Sequence, residues 1–228
     1  MRVADGSWSM LDAITTTQIT VYEDEDQTLD TERSHAVEYG GYLAFASTGT
    51  YYLDDAAVVY DEPPMEIGKI TATETGNMEV GSTTASTSWT TITLTNTYIQ
   101  PVVVATVLDG NNPDTPVSAR INNASGNSFE LRLDIPTDNF APVTSNSETV
   151  YYMVVEAGTW VVGDNRTKIE AGIVEDVSRV NCAACGSWNN GTDVAYDNAY
   201  VSEPLVLHQV MSENSSDWIT SFVSDDTS

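Results

Sequence analysis

Few side chains in this 228-residue sequence have the type and spacing that chemistry requires. Cys182 and Cys185 form a C-A-A-C motif in a Gly/Asn-rich stretch. Two thiols do not complete a tetrahedral zinc site, and neither a second cysteine pair nor a nearby histidine pair supplies the missing ligands. A thioredoxin-like role needs a βαβ context, which the flanking sequence lacks. In an oxidising exterior the pair is expected to form a local disulfide that pins the loop, with two reduced thiols as the other state.

The most acidic stretch is Glu23-Asp24-Glu25-Asp26, followed by Asp30, Glu32 and His35. Calcium takes about six to eight oxygen ligands, which a carboxylate-rich loop can supply, so Glu23, Asp24 and Asp26 are candidate Ca²⁺ ligands. The run lacks the spacing and the glycine of an EF-hand, and a solvated acidic loop is the plainer reading. No other cofactor is expected. His35 and His208 are the two imidazoles, and no nucleophile setting of the G-x-S-x-G kind occurs. These observations argue against an enzyme. Trp8, Trp160, Trp188 and Trp218 could stack on sugar rings, although packing in a core or at a junction is the competing use. N-x-S/T sequons at Asn123, Asn165, Asn190 and Asn214 are candidate glycosylation sites.

Thirty-four Asp and Glu against eight Lys and Arg give a net charge of −26. That sign repels nucleic-acid phosphates and anionic lipid, so neither is an expected partner. A hydrophobic fraction of 41%, with 11 Tyr and 5 Trp, is enough for a core and argues against disorder. A folded chain this acidic suits a salt-rich exterior, where the Debye length shrinks to roughly 3 Å at 1 M. A haloarchaeon or its virus is the favoured source, and a calcium-rich exterior competes. No run of about 18 apolar residues is present to span a membrane. The opening MRVADGSWSM has no charged segment followed by an apolar stretch, as expected of a mature product or a piece of a longer protein.

The elements available to position these residues read as strands. Trp89–Thr95, Pro101–Leu108, Ser128–Ile135, Val150–Gly158, Gly41–Ala46, Tyr200–Met211 and Asp217–Val223 are short apolar or alternating runs. Turn-forming clusters such as DGNNPD and NNASGN bound them, a pattern that reads as a sandwich or barrel. No sustained helical period appears.

The strands also repeat. Tyr98-Ile-Gln-Pro-Val-Val-Val-Ala-Thr-Val matches Tyr200-Val-Ser-Glu-Pro-Leu-Val-Leu-His-Gln-Val with one inserted residue, and Ile92, Leu94 and Tyr98 match Val194, Tyr196 and Tyr200. Glu148–Val155 matches Glu38–Phe45, and Met65–Gly68 matches Ile169–Gly172. Ala119–Asn123 resembles both Met1–Asp5 and Ser221–Asp225. The chain therefore reads as residues 1–62, the back half of one sandwich, then 63–174, a complete one, then 175–228, the front half of a third.

At these same residues the chain resembles the H-type lectin-like β-sandwich repeats of archaeal and bacterial surface proteins. The carrying features are W-x-x-I-x-L from Trp89, the strand after Tyr98, Arg120-Ile121, the Phe129 strand, Glu148 through Gly158, Asp30–Glu38 and Gly41–Phe45. The resemblance implies an all-β fold of antiparallel, jelly-roll-like sandwich repeats. It also implies either sugar binding or service as a stalk or filament module.

A half-sandwich leaves a sheet face open, so each terminal half needs a counterpart. Residues 175–228 could complete residues 1–60 of the next chain, giving an open head-to-tail homopolymer. The two halves could also meet within one chain, or the boundaries could be those of one window in a longer array. Under the first arrangement the polymer interface holds Pro204, Val206, Val210, Trp218, Ile219 and Val223 on one side and Val3, Tyr42 and Phe45 on the other. The expected function is a structural subunit of an extracellular filament, stalk or fibre. A lectin-like adhesin binding cell-surface glycans is the alternative.

Overall fold

The computed structural model describes residues 7–25, 49–55, 75–112, 117–135, 146–162, 167–174, 194–197, 200 and 204–214. The described residues contain eleven strands and no helix. In chain order these are β1 (Ser7–Ile14), β2 (Ile19–Glu25), β3 (Gly49–Asp55), β4 (Thr75–Ala85), β5 (Thr90–Thr93) and β6 (Pro101–Leu108). They continue as β7 (Ser118–Ser125), β8 (Ser128–Asp134), β9 (Glu148–Glu156), β10 (Gly158–Val162) and β11 (Thr167–Ala171). An eight-stranded sheet runs β11-β10-β3-β4-β9-β6-β1-β2, and a three-stranded sheet runs β5-β8-β7. All pairings are antiparallel except a single parallel bridge, Leu11 to Leu108, that joins β1 to β6.

Sequence alternation places the core. In β9, Val150, Tyr152 and Val154 are buried on one face, and in β8, Phe129, Leu131 and Leu133 do the same. With Val103 and Val107 of β6, Ile92 of β5, Ala119 and Ile121 of β7 and Ala85 of β4, they form one apolar cluster. The three-stranded sheet and the middle of the eight-stranded sheet thus share a core, an arrangement consistent with a β-sandwich. The Phe129 and Tyr152 rings meet edge to face across it, with centroids 5.2 Å apart. Gly81, paired with Tyr152, lies directly beneath the phenol ring, where a Cβ would collide.

The other face of the large sheet is apolar near β10. Met78, Val155 and Trp160 form a second cluster there, with Met153 and Ala171 against it. The Trp160 indole lies over Gly76, where a Cβ would come within 2.7 Å of the ring, and its Nε1–H donates to the Glu156 carbonyl at 2.7 Å. Gly158, at φ 138°, turns the chain from β9 into β10, a backbone position that suits glycine.

The strands from residues 1–62 are part of the large sheet: β1 and β2 continue it beyond β6, and β3 inserts between β4 and β10. The run at 200–211 differs from its strand-like reading, since its described part, Tyr200 and 204–211, carries no strand. The runs at Gly41–Ala46 and Asp217–Val223 lie outside the described residues.

Candidate assembly surface

Acidic side chains do much of the internal positioning. Glu148, at the start of β9, is fully buried, and its two oxygens face the Asp109-Gly-Asn-Asn turn that follows β6. Oε1 accepts from the Asn111 backbone N–H at 2.7 Å and from Asn112 Nδ2 at 2.6 Å. Oε2 accepts from the Gly110 N–H at 3.2 Å and Asn111 Nδ2 at 3.1 Å. Asn112 and Asn146 close the clasp, with the Asn146 N–H donating to Asn112 Oδ1 at 2.7 Å. Glu156, at the other end of β9, accepts from the N–H groups of Ile99 and Gln100 at 2.8 and 2.7 Å. Glu79 of β4 takes those of Thr95 and Asn96 at 2.8 and 3.3 Å. Two carboxylates thereby fix the β5–β6 loop from below, and charge-assisted bonds of this kind are stronger than neutral ones.

Tyr98 sits in that loop, buried beside them. Burial pushes its phenol up to about 12, against a hydrogen bond with Asn96, and the negative charges of Glu79 and Glu156 add to the rise. The tip of the β7–β8 hairpin completes the support, its Gly126 carbonyl accepting from the Tyr98 N–H at 2.8 Å. The role of these three glutamates as buried acceptors is not among the expectations drawn from the sequence. The available signal was a glutamate at each end of the apolar β9 run, set against loops rich in Asn and Gly.

A second polar group joins the C-terminal segment to the small sheet. Arg120 and Arg132 stand directly opposite each other on β7 and β8, and Asp134 lies beside both, at 3.4 and 3.2 Å. Arg132 also pairs with Glu213 at 2.9 Å and stacks on Trp89, its guanidinium carbon 4.8 Å from the ring centroid. Two facing arginines repel, so the two acids are what makes their placement tolerable. Burial raises the Asp134 carboxyl above the usual aspartate range, although Arg120 and Arg132 pull it down. Gln209 Nε2 donates to the Ala119 carbonyl at 2.8 Å, and Met211 packs on the main core. Residues 209–213 are thereby held along the side of the molecule.

The segment before that anchor is different. Ile92, Leu94 and Val103 are 8%, 4% and 0% exposed, whereas their repeat counterparts Val194, Tyr196 and Val206 are 53%, 47% and 37% exposed. Tyr98 is buried and Tyr200 only half-buried, its ring edge to face with Tyr196 at 5.3 Å. The apolar set that builds one core therefore occurs twice, once buried and once largely in solvent. β3 begins Gly49-Thr-Tyr and β10 begins Gly158-Thr-Trp, and the two pair antiparallel, Asp55 opposite Trp160 and Asp54 opposite Val161.

Of the residues expected at a polymer interface, Val206 is exposed and Pro204 and Val210 are half-buried. Trp218, Ile219, Val223, Val3, Tyr42 and Phe45 lie outside the described residues. Glu23 and Asp24 belong to the backbone of β2, an edge strand, and Asp26 lies outside. Among the described residues no group of three or more His, Cys, Asp or Glu is placed to hold a metal. Cys182, Cys185, Asn165 and Asn190 also fall outside. Asn123 is exposed at φ 49° in β7, and its Nδ2 donates to Glu130 at 2.6 Å; Asn214 is exposed. Among the described residues no helix is long and apolar enough to cross a membrane. Compared with protein families, with curated proteins and with solved structures, the chain matches none.

Proposed function

We propose that this chain is a non-enzymatic structural subunit of an extracellular filament, stalk or fibre, assembled head to tail by strand complementation between copies. Its architecture is then a series of jelly-roll-like sandwich repeats, with a central unit at 63–174, whose large sheet β3 of the same chain also enters, and shared units at both ends. The observation that carries the reading is the contrast between Ile92, Leu94 and Val103 in the core and Val194, Tyr196 and Val206 in solvent. Apolar side chains that build a core in one copy of a repeat lose roughly 1.5–3 kcal/mol each when left exposed, and a second chain can restore that burial. The front half of a unit lies at 175–228, and the sequence matching β9, Glu38–Phe45, lies in residues 1–60. Contact between a front half and the back half of the next copy is heterologous, and such contacts grow into open chains when the rotation does not close.

Sedimentation velocity of the purified chain over a range of concentrations tests this. The full chain is expected to form species that grow with concentration, and a chain lacking 200–228 is expected to stay monomeric. Growth that persists unchanged in the truncated chain contradicts complementation.

A further inference from the structure

The 204–211 segment carries two signatures of an interface, one in charge and one in pattern. The chain holds 34 acidic residues, yet Pro-Leu-Val-Leu-His-Gln-Val-Met contains none, and Glu203 and Glu213 stand at its margins. Two copies of a chain with net charge −26 repel across most of their surfaces. Close approach is cheapest where charge is missing, and interface centres are depleted of charged residues for the same reason.

The pattern comes from the internal repeat. Setting Pro204 on Pro101 places Leu205, Val206, Leu207 and Val210 on Val102, Val103, Val104 and Val107. In β6, Val103 and Val107 enter the core, while Val102 and Val104 lie half-buried on the other face of the sheet. β6 bonds along its whole length to β9, from Pro101 opposite Glu156 to Leu108 opposite Thr149. In the free chain exposure runs differently. Leu205 is 68% and Leu207 43% exposed, against 37% for Val206. A featureless greasy patch would use its most exposed residues, whereas a strand must use alternate ones.

We propose that Pro204–His208, the part ahead of the anchor at 209–213, docks on a second copy of this chain as a strand in the role of the first half of β6, with Val206 turned into the shared core and Leu205 and Leu207 turned outward. The proposal rests on the head-to-tail reading and adds the register to it.

The test compares Val206→Glu with Leu205→Glu in the full chain, read by sedimentation velocity. The substitutions add the same charge to adjacent residues, so electrostatic repulsion between copies is matched. Both sites are exposed in the free chain, and melting followed by circular dichroism checks that each variant folds. Val206→Thr, which keeps the branched shape, serves as the milder second variant. Val206→Glu is expected to raise the concentration needed for assembly by roughly tenfold or more, as for a charge placed where a valine is buried. Val206→Thr shifts it in the same direction by less, and Leu205→Glu leaves it near that of the parent chain. An effect of Leu205→Glu equal to or larger than that of Val206→Glu overturns the register while leaving head-to-tail assembly intact. A parent chain that stays monomeric at every concentration overturns both.

Discussion

At Asp134 burial and ion pairing act against each other, and the balance is measurable. The carboxyl is buried, which raises its pKa, while Arg120 and Arg132 favour its charged form. The raised value means that the folded chain holds this proton to a higher pH than the unfolded chain does. The stabilisation from this group is therefore full below the ordinary aspartate range and is lost as pH rises through the folded value. Asp134→Asn removes the titration and also the counter-charge between two arginines. Because the amide resembles the protonated acid, the variant is expected to approach the parent's stability in the acid range and to gain on it as pH rises through the folded value. Urea midpoints measured from pH 4 to 7 check this, and parallel curves for the two proteins contradict it.

Among the elements, β9 organises the most. It pairs with β4 and β6, supplies Val150, Tyr152 and Val154 to the core, and ends on Glu148 and Glu156, which hold loops on both sides of β6. Glu148→Ala leaves the Gly110 and Asn111 N–H groups without their acceptor and removes one of two acceptors from each asparagine amide; the amides keep the Ser147 and Asn146 carbonyls. The expected cost is about 3 kcal/mol, the order reported by charge-assisted bonds in buried sites, and Glu148→Gln should cost less because one acceptor oxygen remains. Chemical denaturation gives both numbers, and a shift within about 0.5 kcal/mol for Glu148→Ala, typical of an exposed site, contradicts the clasp.

β6, β8 and β9 were legible in the sequence because one buried face forces alternation of large apolar residues. β4 was not. Its Gly76 and Gly81 look like strand breakers, yet each is needed because an aromatic ring lies on it, that of Trp160 reaching across from β10, two strands away, or that of Tyr152 from the adjacent β9. β1, β2 and β3 carry many polar and acidic residues, which hides their pairing in the large sheet. The repeat at Tyr98 and Tyr200 could be read from residue types, but the difference in burial between its copies is a property of tertiary packing.

For the molecule as a whole, charge and apolar exposure set opposing terms. A net charge of −26 keeps copies apart in dilute salt, and the unburied set around Val194, Tyr196, Leu205 and Val206 favours their union. Salt weakens the first term, since the screening length falls from about 10 Å at 0.1 M to about 3 Å at 1 M, and leaves the second in place. Assembly is thus expected to need neither glycan nor metal and to strengthen with ionic strength. Negative-stain electron microscopy of the purified full chain in molar sodium chloride, with chelator and without sugar, tests this most directly. The account predicts linear fibres that shorten or vanish on dilution into low salt; a field of uniform single particles at every salt concentration would contradict it.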